Sequence, residues 1–174
     1  MREQKSNKHQ KIITKGLLVI YLILLAWIVL MKIEFSFKDL HAIREVNLIP
    51  FAEPVIVNNK IYFREMYLNI LVFVPFGIYV SMLNFDWGFA RKIIPIAATS
   101  LMFETLQYVF AIGSTDITDL VMNILGGALG IIIYFIICKI FKNKIKINRF
   151  INVLASIGTT GFIILAGILI STNI

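Results

Sequence analysis

The stretch "GLLVIYLILLAWIVLM", Gly16–Met31, carries no charged side chain, and a chain that repeats such stretches cannot hide them all in one soluble core. It opens the first of five apolar blocks: Gly16–Ile33, Tyr67–Leu83, Ile93–Ile112, Ile117–Phe141 and Phe150–Ile170. A transmembrane helix needs about 20 mostly apolar residues, and shorter spans are tolerated. A soluble domain is about half apolar, whereas this chain is 59% hydrophobic with a mean hydropathy of +0.85. The blocks predict an all-α membrane protein with five transmembrane helices. Residues 1–15 form a basic N-terminal segment, 16–141 a four-helix membrane domain, and 142–174 a basic loop with a fifth helix. The first block lacks a small-residue cleavage site before "MKIEFSF", so it reads as a retained anchor rather than a signal peptide. The second block holds Pro75 and Gly77, which predict a short, bent span.

Charge sets the expected orientation. Arg2, Lys5, Lys8, Lys11 and Lys15 precede the first helix. Arg91 and Lys92 lie between the second and third, and Lys139, Lys142, Lys144, Lys146 and Arg149 surround the connection from the fourth to the fifth. With five crossings these groups share one side, which the positive-inside rule makes the cytoplasm. The N-terminus is then inside and the C-terminus outside. One sizeable extracytoplasmic segment, 34–66, joins the first two helices, with mixed charge and a candidate hairpin turn at Asn58-Asn59. The net charge of +7 is thereby an orientation signal with anionic lipid as its partner, not a nucleic-acid surface. The lone Cys138 excludes an internal disulfide, and with His9 and His41 far apart no metal-ligand set is expected. No cofactor motif is present.

Against this background "ETLQYVFAIGSTDITDLVMNILGG", residues 104–127, stands out. A short turn makes the third and fourth helices antiparallel neighbours. If it centres near Ser114, Glu104 lies level with Asn123 and Ile124, about 12–15 Å below the outer end of its helix. Gln107 is i,i+3 from Glu104 on the same face. Asp119, Asn123, Gly126 and Gly130 share a face of the fourth helix. The expectation is a polar seam of Glu104, Gln107, Asp116, Asp119 and Asn123, with Asn123 donating to Glu104. An intramembrane carboxylate costs about 2.5–3.5 kcal/mol even on the milder insertion scales, so it marks a functional site by default. Arg64 is the nearest cation, provided that it folds inward. The structural alternatives are equally concrete: Asp116 or Thr115 as a helix cap, and "GGALG" as a small-residue surface for close packing.

"NLIPF", "NILVFVPFG", "ETLQ" and "DITDLVMNILGGALG" occur in this order between Asn47 and Gly130, and this pattern resembles the VanZ-like family of bacterial membrane proteins. The matching positions are Asn47 and Pro50 in the outer motif and Asn69, Pro75, Phe76 and Gly77 in the second helix. Glu104 and Gln107 match in the third helix, and Asp116, Asp119, Asn123 and Gly126 in the fourth. Many members carry an arginine shortly before the first aspartate, where this sequence has "GST". The resemblance implies a multi-pass protein of the bacterial cell membrane associated with glycopeptide resistance, chiefly to teicoplanin. Three classes stay open: a modulator of antibiotic access to lipid-linked cell-wall precursor, an intramembrane enzyme on a lipid or lipid-linked substrate, and a small transporter. No nucleophile–base pair supports the enzyme. Five helices without an inverted repeat are few for a monomeric transporter, although a homo-oligomer supplies more.

Overall fold

The computed structural model describes residues 2–31, 46–47, 49–50, 55–57, 60–62, 64–111 and 115–172, with side chains for 6–30, 47, 49–50, 65–111, 115–168 and 171. Among these residues the chain forms five helices: α1 (Arg2–Met31), α2 (Arg64–Leu83), α3 (Phe89–Phe110), α4 (Ile117–Phe141) and α5 (Lys144–Thr172). All five are long and apolar enough to cross a membrane. α4 has the expected limits. α1 and α5 begin well before their apolar blocks, because the basic and polar residues there are good helix formers and only the bilayer, not the helix, requires apolarity. The Arg64 side chain lies outside the described residues.

Four short strands complete the fold. β2 (Val55–Val57) and β3 (Lys60–Tyr62) pair antiparallel with Val57 opposite Lys60, the hairpin expected around Asn58-Asn59. β1 (Val46–Asn47) and β4 (Thr115–Asp116) pair in parallel, with Asn47 opposite Asp116. This pairing ties the "NLIPF" segment to the turn before α4; Ile49 and Pro50 stay exposed beyond it.

The closest helix packing is between α2 and α4, and sequence explains why. A Cβ at Gly77 would sit 1.9 Å from the Gly127 carbonyl oxygen, one at Gly126 2.2 Å from that of Ile70, and one at Gly130 2.0 Å from that of Val74. The backbones therefore touch, as the "GGALG" pattern suggested, but Gly126 and Gly130 face α2 rather than α3. Helices in lipid have no hydrophobic force between them, so such close van der Waals contact supplies the association. Pro75 lies inside α2 and removes one backbone donor. One turn away the Tyr21 hydroxyl of α1 donates to the Val72 carbonyl, so a neighbouring helix engages the backbone beside the proline.

Around this pair the core forms two clusters. Leu25, Phe73, Phe76, Ile96, Phe103 and Ile131 make one. Leu17, Tyr79, Met82, Tyr134 and Ile147 make the other. Tyr21 links them, its ring 6.3 Å from Phe76 and 5.5 Å from Tyr79. α5 runs parallel to α1 and packs mainly on it. Thr14 donates to Asn152 Oδ1 at 3.0 Å, Asn152 donates to Gln10 Oε1 at 3.0 Å, and Tyr134 donates to Asn148 Oδ1 at 2.8 Å. These polar groups are buried. The start of α1, the α2–α3 turn and the α4–α5 connection thus share one end of the bundle, and Lys144 lies 3.1 Å from the Phe85 ring centroid there.

Candidate functional site: a polar cleft at the start of α4

The chain between α3 and α4 does not simply turn over. α3 ends at Ala111, whose left-handed conformation (φ 54°) lets its N–H reach the Gln107 and Tyr108 carbonyls. Glu104 lies six residues before Phe110, about 9 Å down the helix. The chain returns to that level before α4 begins. The Thr115 hydroxyl donates to the Glu104 carbonyl at 3.2 Å, and the Asp116 N–H donates to Glu104 Oε2 at 3.0 Å. β4 is extended, at about 3.3 Å per residue, so its two residues cover more than one turn's length of helix. Asp116 then caps α4 by accepting from the Thr118 N–H at 2.7 Å, and also accepts from Asn47 Nδ2 at 3.4 Å.

This return path corrects the expected register. Glu104 faces Asp116, not Asn123. Asn123 instead donates to Ser100 Oγ at 2.9 Å, one turn deeper. The equal-depth estimate assumed that both helices climb to the turn at 1.5 Å per residue, which an extended segment violates. Glu104 is 4% exposed. Its carboxylate sits at the N-terminus of α4, where unpaired N–H groups and the helix dipole favour negative charge. That position answers how a carboxylate is tolerated in an apolar chain: a helix end solvates it.

Four of the five seam residues do converge. Glu104, Gln107, Asp119 and Asn123 line one cleft of about 280 Å³, with Glu65, Leu68, Asn69 and Val72 of α2 and Ile28 and Val29 of α1. The seam is therefore shared by four helices rather than two. Asn69 donates to Asp119 Oδ1 at 2.6 Å. Gln107 donates to the Val29 carbonyl at 3.1 Å. Asp116 lines no part of the cleft and works as the cap. Pro75, Phe76 and Gly77 serve packing of α2 rather than the cleft. Ser100 and Val29 were missed as partners. The signal for Ser100 was its i,i+4,i+7 stripe with Glu104 and Gln107; nothing in the sequence singled out a Val29 carbonyl.

Two acceptors remain unmatched. Gln107 Oε1 and Asn123 Oδ1 are buried without a hydrogen-bond partner among the described residues, although both residues line the cleft. Ser100 can donate or accept, so the Asn123 amide can satisfy either end against it. Gln107 has no such freedom: the Val29 carbonyl only accepts, which fixes Nε2 there and leaves Oε1 buried without a donor among the described residues. A buried unmatched carbonyl costs about 1–3 kcal/mol, so an arriving donor is favoured at this atom.

The family model described as VanZ/LLP1 matches residues 18–139. This chain belongs to the VanZ/LLP1 family. Protein VanZ of Enterococcus faecium is 38% identical over 143 residues, covering 81% of this chain and 84% of that protein. No solved structure matches. The family span contains the cleft, its cap and the α2–α4 glycine contact, and it stops before α5. The motifs that suggested the family, from Asn47 to Gly130, all fall inside it.

Proposed function

We propose that this VanZ/LLP1 family protein lowers susceptibility to teicoplanin-type glycopeptides at the outer face of the bacterial cell membrane, with the cleft as its working site. The observation that carries this reading is the cleft itself: buried polar side chains of Glu104, Gln107 and Asn123 line it, and Gln107 Oε1 is buried there without a donor among the described residues. At about 280 Å³ it falls below the roughly 300–1,000 Å³ range of drug-sized pockets. It suits a polar fragment of a lipid or lipid-linked precursor, not a whole glycopeptide. The protein then changes what the antibiotic meets at the membrane rather than engulfing it. Teicoplanin carries an acyl chain that partitions into the outer leaflet by about 0.8 kcal/mol per methylene. Vancomycin lacks the chain and depends less on that surface.

The orientation follows from the basic end of the bundle lying on the cytoplasmic side. The cleft, near the other end, then opens outward. In a Cys138→Ser background, Ser171→Cys reacts with an impermeant thiol reagent in intact cells and Lys144→Cys does not. Labelling of Lys144→Cys from outside overturns the orientation.

The test of function is expression in a susceptible Gram-positive host. Tolerance to teicoplanin rises more than tolerance to vancomycin, and Gln107→Leu, which removes the bond to the Val29 carbonyl and the unmatched Oε1 together, reverses the rise at equal membrane abundance. An equal rise for both drugs favours a change in the precursor itself. No rise for either, with the protein present in the membrane, refutes the reading.

A further inference from the structure

α5 leaves one flank of the bundle open. Its polar stripe holds it to α1 and to Tyr134, and it packs only lightly on α4. Between α5 and the α2–α4 pair runs a groove of about 880 Å³. Its walls are apolar, with Pro75 and Ile78 from α2, Ile137 and Phe141 from α4, and Ile151 and Leu154 from α5. Phe141 and Leu154 are exposed, at 67% and 52%, so the groove opens to the membrane. Its volume is near the top of the range of about 300–1,000 Å³ typical of ligand pockets. Hydrocarbon, not water, is what fills an open apolar groove in a bilayer.

One end of the groove differs. Asn143 of the α4–α5 connection and Lys146 of the first turn of α5 line it, and Lys142, Lys144 and Arg149 lie close by in the chain. The Asn143 side chain accepts from the Lys146 N–H at 3.0 Å and so caps α5. The cap places the positive end of the helix and the Lys146 ammonium at the same mouth. Among the described residues, no Asp or Glu lines the groove. We propose that this groove binds an anionic phospholipid, with an acyl chain along the α2–α4–α5 walls and the phosphate at Lys146 and the first turn of α5. Charge decides among occupants. A zwitterionic lipid fills the walls but neutralises no net charge at the mouth, and a second copy of this chain brings the same basic end and is repelled by it.

The full-length protein, purified in a neutral detergent, is offered phosphatidylglycerol or phosphatidylcholine with identical chains, and retained lipid is read by native mass spectrometry. Phosphatidylglycerol is retained roughly fivefold better, as expected for one basic side chain at an anionic head group. Lys146→Gln removes most of that preference. Lys15→Gln, an exposed position on α1 outside the groove, keeps it. Ala155→Phe, which fills the groove wall, lowers retention of both lipids. Equal retention of the two lipids by the unaltered protein overturns the proposal. So does a loss of preference in Lys15→Gln as large as that in Lys146→Gln, or unchanged retention in a folded Ala155→Phe protein. The two lysine variants decide the matter even where Ala155→Phe fails to fold.

Discussion

α4 and α5 are both apolar helices in one bundle, yet they are held by different forces. α4 meets α2 backbone to backbone through Gly77, Gly126 and Gly130. α5 meets α1 through side chains, with Gln10, Thr14 and Asn152 bonded to one another in a buried cluster. α5 carries glycines too, at Gly158, Gly161 and Gly167, but among the described residues nothing lies within 4 Å of a Cβ placed there. The difference teaches that a glycine in a membrane helix signals packing only where a partner backbone reaches it. It also follows what each interface must do. The α2–α4 contact fixes Asn69 against Asp119 and so shapes the cleft. The α1–α5 contact only has to hold α5 in place.

The largest effect is expected at the glycine contact. Gly126→Ala together with Gly130→Ala drives two methyl groups toward carbonyl oxygens 2.2 and 2.0 Å away. Overpacking costs about 1–3 kcal/mol per site, and rigid backbone on the far side puts these at the upper end. Thermal unfolding in detergent, followed by helical circular dichroism, drops by several degrees or the folded species disappears. A loss no greater than that of one ordinary side-chain hydrogen bond would dissolve the comparison.

Next comes the acid that α4 relies on. Glu104→Leu leaves the Asp116 N–H unbonded at a half-buried helix start, at a cost of about 1–2 kcal/mol. Glu104→Gln keeps an acceptor of the same shape and loses less than about 1 kcal/mol. If teicoplanin tolerance falls in Glu104→Gln while stability holds, the charge matters to function and not only to the cap. Equal stability of the Leu and Gln variants would show that the helix start does not need the acceptor.

How much of this was legible follows the same divide. Apolar blocks carry no register, so five helices could be counted and α4 bounded residue by residue while the Glu104–Asn123 pairing came out wrong. That error arose from "GSTD": a turn read as a simple reversal runs partly as strand β4, paired with Val46–Asn47, 69 residues away in sequence. Non-local pairing of two-residue strands leaves no periodic trace. Asp116 as a cap was readable, because its chemistry is local. The α1–α5 cluster was readable in principle from Gln10–Thr14 and Asn148–Asn152, each i,i+4, but which helix each stripe faces is a tertiary fact.

A smaller loss is expected at α1–α5. Interhelical hydrogen bonds in a membrane average about 0.6 kcal/mol and reach about 1.7, because the separated helices find other partners. Asn152→Leu removes bonds to both Gln10 and Thr14, so it belongs at the upper end of that range. A cycle with Thr14→Val isolates the Thr14–Asn152 share. No described residue of α5 lines the cleft, so teicoplanin tolerance holds in Asn152→Leu at matched abundance. A fall in tolerance with unchanged stability would mean that α5 reports to the cleft, and the two regions would no longer be separable.

The smallest effect is the most discriminating. Gly158→Ala and Gly161→Ala add methyl groups where nothing lies within 4 Å. Alanine is the better helix former by about 0.8–1.0 kcal/mol in water, but lipid leaves no competing water for the backbone, so most of that gain vanishes in a spanning segment. Unfolding of either variant therefore stays within about 0.5 kcal/mol of the parent, on the stabilising side, in the same detergent used for Gly126 and Gly130. The same substitution thus costs several kcal/mol in α4 and nothing in α5, which composition alone would never predict. A clear destabilisation at Gly158 would require a partner for that face of α5 beyond the described residues. Chemical cross-linking from Gly158→Cys would then show whether a second copy supplies it.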